Sequence, residues 1–503
     1  MTKRLTRRDF FKSAAAATVA ASVTPAWVPS LSGAKIATRD AEAPGVFDLQ
    51  LDLERAIEQH KVVGASAAVY YKGSMETAAA GVLNVTTGVE VTHDTVMHIG
   101  SITKTLNTTL MMQLVDDGLV ELDAPVFKYL PEFKVKDSAA TRAITVKMLL
   151  NHTSGIDGEL LPDYGHDQET VEKMVARAAD MGKIHEPGKD CSYCNTAMVI
   201  AGHLAQRVRG KSWYDLIKER IFEPLGLEHA VVLPEDALLH RATVGHFTDP
   251  KTGKQNRTTH AFLPLSFAPA GSTAMMSARD LVTFGVAHIG NGVGTNGTRI
   301  LSETSAKAMR TRTAGLQGIG RVRNFGLGWM LGDSGDIGHG GGGPGILSWL
   351  SIHAEKNFAM AVLTNSEHGM LVISDLMNAW MKASTGVEPL PIERLPYIDM
   401  KFDPSRYVGT YENISLEIQV VEKDGGIAVS FRAKFALYDS TSLEKSPPVQ
   451  LKPVGEHAFG VAPPDSNGSS RISPQTILTF VNPMADGRME HVATGGRLYR
   501  RTE

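Results

Sequence analysis

The 503-residue chain is 43% hydrophobic and 21% charged, a size and balance that exclude a peptide hormone, a disulfide scaffold and a disordered tail and that allow one large core and a second. With 51 Lys+Arg against 54 Asp+Glu the formal charge is -3, which supplies neither a basic field for nucleic acid nor an acidic solvating excess. Two cysteines make no disulfide framework and no four-cysteine zinc site, and 48 Gly with 24 Pro imply a turn-rich mixed α/β chain.

In chain order, Thr6-Arg7-Arg8-Asp9-Phe10-Phe11-Lys12 resembles a twin-arginine export motif, and Ser13 to Val28 is small, weakly apolar and broken by Pro25 and Pro29. Residues 1–34 are therefore expected to be a signal peptide cleaved after Ala26 or Ala34, and the mature protein periplasmic. No later run reaches 18 apolar residues, so no membrane span is expected.

Val46 to Val62 carries helical periodicity, and Ala65 to Tyr71, a Gly73 turn and Glu76 to Leu83 read as a hairpin. Ile102, Leu106, Leu110, Leu114 and Val115 form an apolar stripe stopped at Asp116-Asp117-Gly118, a buried helix. Ile144 to Leu150, Val171 to Met181, Ala197 to Val208 and Trp213 to Phe222 also read as helices, Asp249 to Asn256 as a polar loop and Ser277 to Ile289 as a further helix. The period then changes: Phe325 to Leu331, Leu347 to His353 and Phe358 to Leu363 suit an antiparallel sheet, and a last helix runs from Val372 to Ala383.

Two domains follow, residues 46–385 with helices on a sheet built from both ends of the segment, and a small all-β barrel over 397–503. The proline-bearing linker 386–396 joins them. Within the barrel, Asp424-Gly425-Gly426, Pro463-Pro464 and Gly495-Gly496 mark turns. The barrel is expected to shape or cover the mouth of a site and to supply it with no catalytic group.

Ser101-Ile102-Thr103-Lys104 opens the first buried helix, and a separation of three sets hydroxyl and ammonium one turn apart on one face. A desolvated lysine gives up its proton readily and can then deprotonate the serine. Ser442-Leu443-Glu444-Lys445 has the same spacing but precedes Pro447-Pro448, where no helix can hold the geometry. Tyr193-Cys194-Asn195 stands at the next helix entrance, a phenol able to relay a proton and an amide able to bond both catalytic groups and substrate. His339-Gly340-Gly341-Gly342-Gly343-Pro344-Gly345 offers backbone N–H groups close to a reacting carbonyl.

In this order the three motifs resemble those of the serine β-lactamase and penicillin-binding-protein superfamily, most closely its class C β-lactamase-like branch, which also holds D-aminopeptidases, D,D-carboxypeptidases and esterases. Leu149-Leu150-Asn151-His152-Thr153-Ser154-Gly155-Ile156, Phe222-Glu223-Pro224-Leu225-Gly226-Leu227 and Ala270-Gly271-Ser272-Thr273 are similar to stretches of that branch. The tail with Tyr407-Val408-Gly409-Thr410-Tyr411 is similar to the lipocalin-like barrel appended to some members. The fold so implied is α+β, a β-lactamase-like domain followed by that barrel.

The resemblance implies Ser101 as acylated nucleophile, Lys104 as its general base and Tyr193 as proton relay. It implies Asn195 orienting Lys104 and substrate, His339 and Gly341 lining the substrate site, and the N–H groups of Ser101 and Gly342 forming an oxyanion hole. His339 stands where β-lactamases usually carry lysine, and Gly340 where threonine is common. Both usual partners of a substrate carboxylate are thus absent, and peptide or amide hydrolysis is expected first, ester hydrolysis second and β-lactam hydrolysis weakly. The glycine run is expected to leave space for a bulky acyl part.

Rival readings are an acylatable sensor without turnover and, for His339, a strand-edge histidine held by a backbone bond. Cys191 and Cys194 read as two packed thiols. The Gly-x-Ser-x-Gly elbow of α/β-hydrolases is missing, Gly292 to Gly297 follows a helix and cannot be a dinucleotide loop, and no His-Glu-x-x-His signature occurs. Neither cofactor nor metal is expected, the partner being a small-molecule or short-peptide substrate, and the sequence sets no oligomeric state.

Overall fold

A computed structural model describes residues 48–502 apart from 160–161, 168, 250, 318–323, 388–394, 436–442, 462–470 and 473–476. The export motif, most of the linker and Pro463-Pro464 lie outside the described residues.

The first helix, α1 (Leu49–His60), is capped by Asp48, whose side chain accepts from Leu51 N, and ends at Lys61 with φ 53. It leads into the hairpin β1 (Gly64–Tyr71) and β2 (Ser74–Gly81). Late in the domain come β3 (Ile337–Gly343), β4 (Ile346–His353) and β5 (Phe358–Thr364). An eight-stranded sheet runs β2-β1-β5-β4-β3 and continues through the short strands Met330–Leu331, Asn324–Phe325 and Ala314–Gly315. Every pair in it is antiparallel, so the sheet closes the two ends of the segment onto each other, as the sequence implied.

Both faces of that sheet are covered, which is why β1 and β5 are apolar at almost every position instead of alternating with polar residues. Ala65, Ala67, Val69, Phe358, Met360 and Val362 pack under α1 and the last helix of the domain, which ends at Thr385. Ala68, Ala359, Ala361 and Leu363 face the larger core. In that core Gly285 lets its helix (Ala278–Ile289) lie close on the sheet: a Cβ there would stand 2.9 Å from Ile352 Cγ2.

The helix α2 (Thr103–Asp116) is buried on all sides from Thr103 to Leu114, more completely than an apolar stripe implies. Its polar side chains, Thr108 excepted, are therefore bonded rather than solvated. Thr105 and Thr109 donate to Ile102 O and Thr105 O, both at 2.8 Å. Asn107 donates to Met198 O on α3 (Asn195–Arg209) and accepts from the Trp213 indole, both at 2.9 Å. Asn107 thus ties the helix that follows Ser101 to the helix that follows Tyr193.

Three local readings are corrected. Ile144 is extended, and the helix starts at Val146 because the Thr145 side chain caps it. Phe325 to Leu331 is two short strands joined by a turn with Gly328 at φ 73. The Asp249 to Asn256 loop is the tip of a small hairpin pairing His246–Thr248 with Gln255–Arg257.

Eight antiparallel strands from Gly409 to Arg501 close the C-terminal barrel. Its interior is filled by Tyr407, Tyr411, Phe459, Phe480, Tyr499 and aliphatic neighbours. The last two strands, β6 (Met489–Thr494) and β7 (Arg497–Arg501), turn through Gly495 and Gly496, both with φ above +50°. That turn reaches the hydrolase domain: Gly496 O accepts from Tyr193 N at 2.9 Å, and Leu498 N donates to Ser192 Oγ at 3.1 Å. Ile184, Ala493 and Leu498 form an apolar cluster beside these bonds. Among the described residues no helix is long and apolar enough to cross a membrane.

Candidate active site

Ser101 sits in a 3-10 turn, Gly100–Ile102, that runs straight into α2. Gly100 has φ 50, and a Cβ on it would stand 2.6 Å from Gly342 N; the serine turn and the glycine strand are in contact through backbone. Lys104 Nζ, one turn on, donates to Ser101 Oγ at 2.9 Å and to Ala270 O at 2.5 Å. Its side chain is fully buried.

Burial lowers the Lys104 ammonium to about 7; Glu159 and Cys194 oppose that fall and Arg497 adds to it. The Tyr193 ring lies 4.9 Å from Lys104 Nζ, and its hydroxyl is hydrogen-bonded to Ser101. Burial pushes that phenol up, more than the Ser101 bond and Arg497 bring it down. Near neutral pH Lys104 can therefore stand without its extra proton, while the tyrosine stays a proton-bearing hydroxyl.

Asn195 departs from expectation. Its backbone N and its Nδ2 donate to the two oxygens of Glu159, at 2.8 and 3.0 Å. Among the described residues no hydrogen bond joins it to Lys104. Glu159 also accepts from Arg497 Nη2 at 2.9 Å, and the Arg497 guanidinium lies 4.8 Å from the Tyr193 ring centre. The barrel therefore does more than border the site: β7 sends a buried cation into its wall. Neither Glu159 nor Arg497 was marked by any sequence motif.

The glycine run is itself a strand, β3. Its outer edge is paired only at Ile337 and Gly338, and beyond them the strand faces the Ser101 turn. Glycine weakens a strand interior unless another chain approaches closely, and here it does. A Cβ on Gly341 would stand 1.9 Å from Ile99 O and 2.2 Å from Ser348 Oγ; one on Gly340 would meet the Trp349 indole at 2.7 Å. The expected room for a bulky acyl part is not found at Gly340 and Gly341, because neighbours fill it. Gly341→Ala should cost about 1–3 kcal/mol by overpacking and slow covalent labelling of Ser101. Unchanged thermal unfolding together with unchanged labelling would refute this packing argument.

His339 is buried, and its Nδ1 lies 2.7 Å from Gly340 O. A carbonyl oxygen only accepts, so the proton is on Nδ1 and Nε2 keeps a lone pair, with no protein partner among the described residues. Burial, assisted by Lys104, lowers this imidazole to about 3, so His339 is neutral where a lysine would be charged. The ring is held by a backbone bond, as the strand-edge reading has it, and lies 6.2 Å from the Tyr193 ring. His152 packs on Tyr193 from another side, ring centres 4.4 Å apart, and its Nδ1 accepts from Cys194 N.

Cys191 and Cys194 are free and buried, and Cys194 Sγ accepts from Ala197 N at the start of α3. Both thiols are pushed up to about 12 by burial, the packed thiols expected. Among the described residues no three His, Cys, Asp or Glu side chains are grouped to hold a metal.

The Beta-lactamase family profile matches residues 49–380. Penicillin-binding protein 4 of Amycolatopsis lactamdurans is 35% identical over 359 residues, 70% of this chain and 94% of its own length. The crystal structure of SurE superposes with a TM-score of 0.70 at 25% identity, covering 90% of this chain and 98% of that one. A D-stereospecific amidohydrolase from Streptomyces sp. is 26% identical with a TM-score of 0.50, covering 65% and 97%. The SurE overlay takes in the barrel as well as the hydrolase domain, whereas the amidohydrolase matches about two thirds of the chain.

Proposed function

Because this chain belongs to the β-lactamase family of serine hydrolases, we propose that it is an exported peptidase or amidase of the D-aminopeptidase and carboxypeptidase type, working through an acyl-enzyme on Ser101. One observation carries the reading: Lys104 Nζ lies 2.9 Å from Ser101 Oγ, and its full burial lowers the ammonium to about 7. Neutral Lys104 takes the Ser101 proton as Oγ attacks the scissile carbonyl. The N–H groups of Ser101 and Gly342 hold the developing oxyanion. Tyr193, kept protonated, passes its proton to the leaving amine and regains one from Lys104, which holds the proton taken from Ser101 and is neutral again afterwards. Water then enters, and the same lysine activates it to release the acyl group.

The neutral His339 favours substrates that need no cation at that position. It presents a lone pair to a substrate N–H, an amide feature that the name of the amidohydrolase relative also suggests. Peptide amides and matched esters should exceed a chromogenic cephalosporin in kcat/KM by about tenfold or more, equivalent to about 1.4 kcal/mol of transition-state preference. A cephalosporin advantage of that size would overturn the substrate assignment. Export rests on Arg7-Arg8 and the following small-residue segment; accumulation of processed protein in a periplasmic fraction, abolished by replacing both arginines with lysine, tests it.

A further inference from the structure

The barrel approaches the catalytic centre through one carboxylate. Glu159 is 5% exposed and Arg497 4%, and their pair is separated by 338 positions in sequence. One Glu159 oxygen takes the backbone N of Asn195, while the other takes both Asn195 Nδ2 and Arg497 Nη2. Arg497 and Lys104 both stand over the Tyr193 ring, at 4.8 and 4.9 Å. On the hydrolase side Asp157 Oδ1 accepts from Ile414 N, and Ile184 O and Asp190 Oδ2 bond His491 and Asn482 of the barrel. The turn carrying Arg497 is thus held at several points, and the arginine is not free to swing.

We propose that Glu159 is a positioning residue through which the docked barrel acts on the hydrolytic centre, holding Asn195 and the barrel's Arg497 on one carboxylate and so fixing both the amide and the balance of charge around Lys104. The inference rests on the assignment of Ser101 and Lys104 as nucleophile and base. The groups facing Lys104 are Glu159 from the loop after Gly158, Tyr193 and Cys194 before α3, His152, His339 on β3 and Arg497 on β7. Of these the two histidines are held neutral by burial and Cys194 and Tyr193 are held protonated. The opposed charges are those of Glu159 and Arg497, one raising and one lowering the proton affinity of Lys104.

The test is the pH dependence of covalent labelling by a fluorophosphonate on the full chain. Ser101 Oγ forms a bond to phosphorus, fluoride leaves, and the serine proton goes to Lys104, so the rate rises with pH as the lysine becomes neutral. Arg497→Met leaves Glu159 unbalanced and should move this acid limb up by about half a pH unit or more; Glu159→Gln should move it down by as much, about a threefold change in rate at fixed pH on the limb. The double variant replaces a buried ion pair by a neutral pair, an exchange that folds tolerate, and its limb should return close to that of the parent. Limbs that stay in place, or move in the same direction, in folded single variants would overturn the proposal.

Should a single variant not fold, Glu159→Asp and Arg497→Lys keep the charges and alter the reach. A lowered plateau rate with an unmoved limb is then expected, and an unchanged plateau overturns the positioning role. Absence of labelling in the parent chain, with Ser101→Ala as the blank, would overturn the hydrolase assignment and this inference together. Labelling with immobile limbs overturns this inference alone.

Discussion

Ser101→Ala should lower kcat/KM for peptide, amide and ester substrates by about 10⁴- to 10⁶-fold, the scale of nucleophile deletion in enzymes that form acyl intermediates. The change removes one oxygen at a half-buried position and leaves the backbone of the 3-10 turn, the glycine strand and the Lys104 bond to Ala270 O in place. Loss of activity should therefore come without loss of the fold, and thermal unfolding should stay within a few degrees of the parent. The loss should also be the same for amide and ester leaving groups, since both pass through the same covalent step. Retained turnover in this variant would end the acyl-enzyme assignment whatever the substrate, and an intact mass showing no adduct after fluorophosphonate treatment checks it independently.

What could be read in the sequence follows from how local each determinant is. Ser101 and Lys104 are set by one helical turn, and the stripe from Ile102 to Leu114 buries that turn; both facts lie within fifteen residues of chain. The sheet strands were legible because β1 and β5 are covered on both faces and so read as unbroken apolar runs. The glycine run was recognised as a backbone feature, but its strand character was not: no side chain there can alternate, and the reason for glycine is the approach of Ile99 O, Ser348 and Trp349 from elsewhere. Asn195 is expected from its motif to orient Lys104 and substrate, but the side chain it bonds is another one. Its amide is claimed by Glu159, a carboxylate four residues beyond Gly155, and that carboxylate is in turn claimed by a barrel residue near the C-terminus. A bond made by docking two domains leaves no periodicity or spacing in either one.

The electrostatics join these parts into one centre. Lys104 is short of solvation and has two acceptors, Ser101 Oγ and Ala270 O; a third group with a lasting negative charge close by would keep it protonated and idle. Glu159 has such a charge, and the barrel's Arg497 offsets it. The two imidazoles around Tyr193 add none, being neutral. On the proposed assignment the lysine acts as a base near neutral pH while the tyrosine remains an acid, the separation of roles that acid–base catalysis requires of two neighbouring groups.

Lys104→Met tests that arrangement through activity and stability together. The thioether fills most of the lysine volume but can take no proton, so kcat/KM should fall by about a thousandfold or more, in line with deletion of a catalytic base. Stability should respond to pH in a defined direction. The lysine is lowered to about 7 in the fold from its ordinary value of 10.5, so between those values the unfolded chain binds the extra proton and folding of the parent is favoured as pH rises. Below about 7 both states carry the proton, and the cost of the buried charge is at its greatest and constant. A variant without the lysine lacks this dependence. The difference in unfolding temperature between parent and Lys104→Met should accordingly shift in favour of the parent from pH 7 to pH 10 and level off below pH 7. A difference that stays flat across this window, in two proteins that unfold reversibly, would mean that Lys104 is not desolvated in the folded chain and that the serine must be activated by another group.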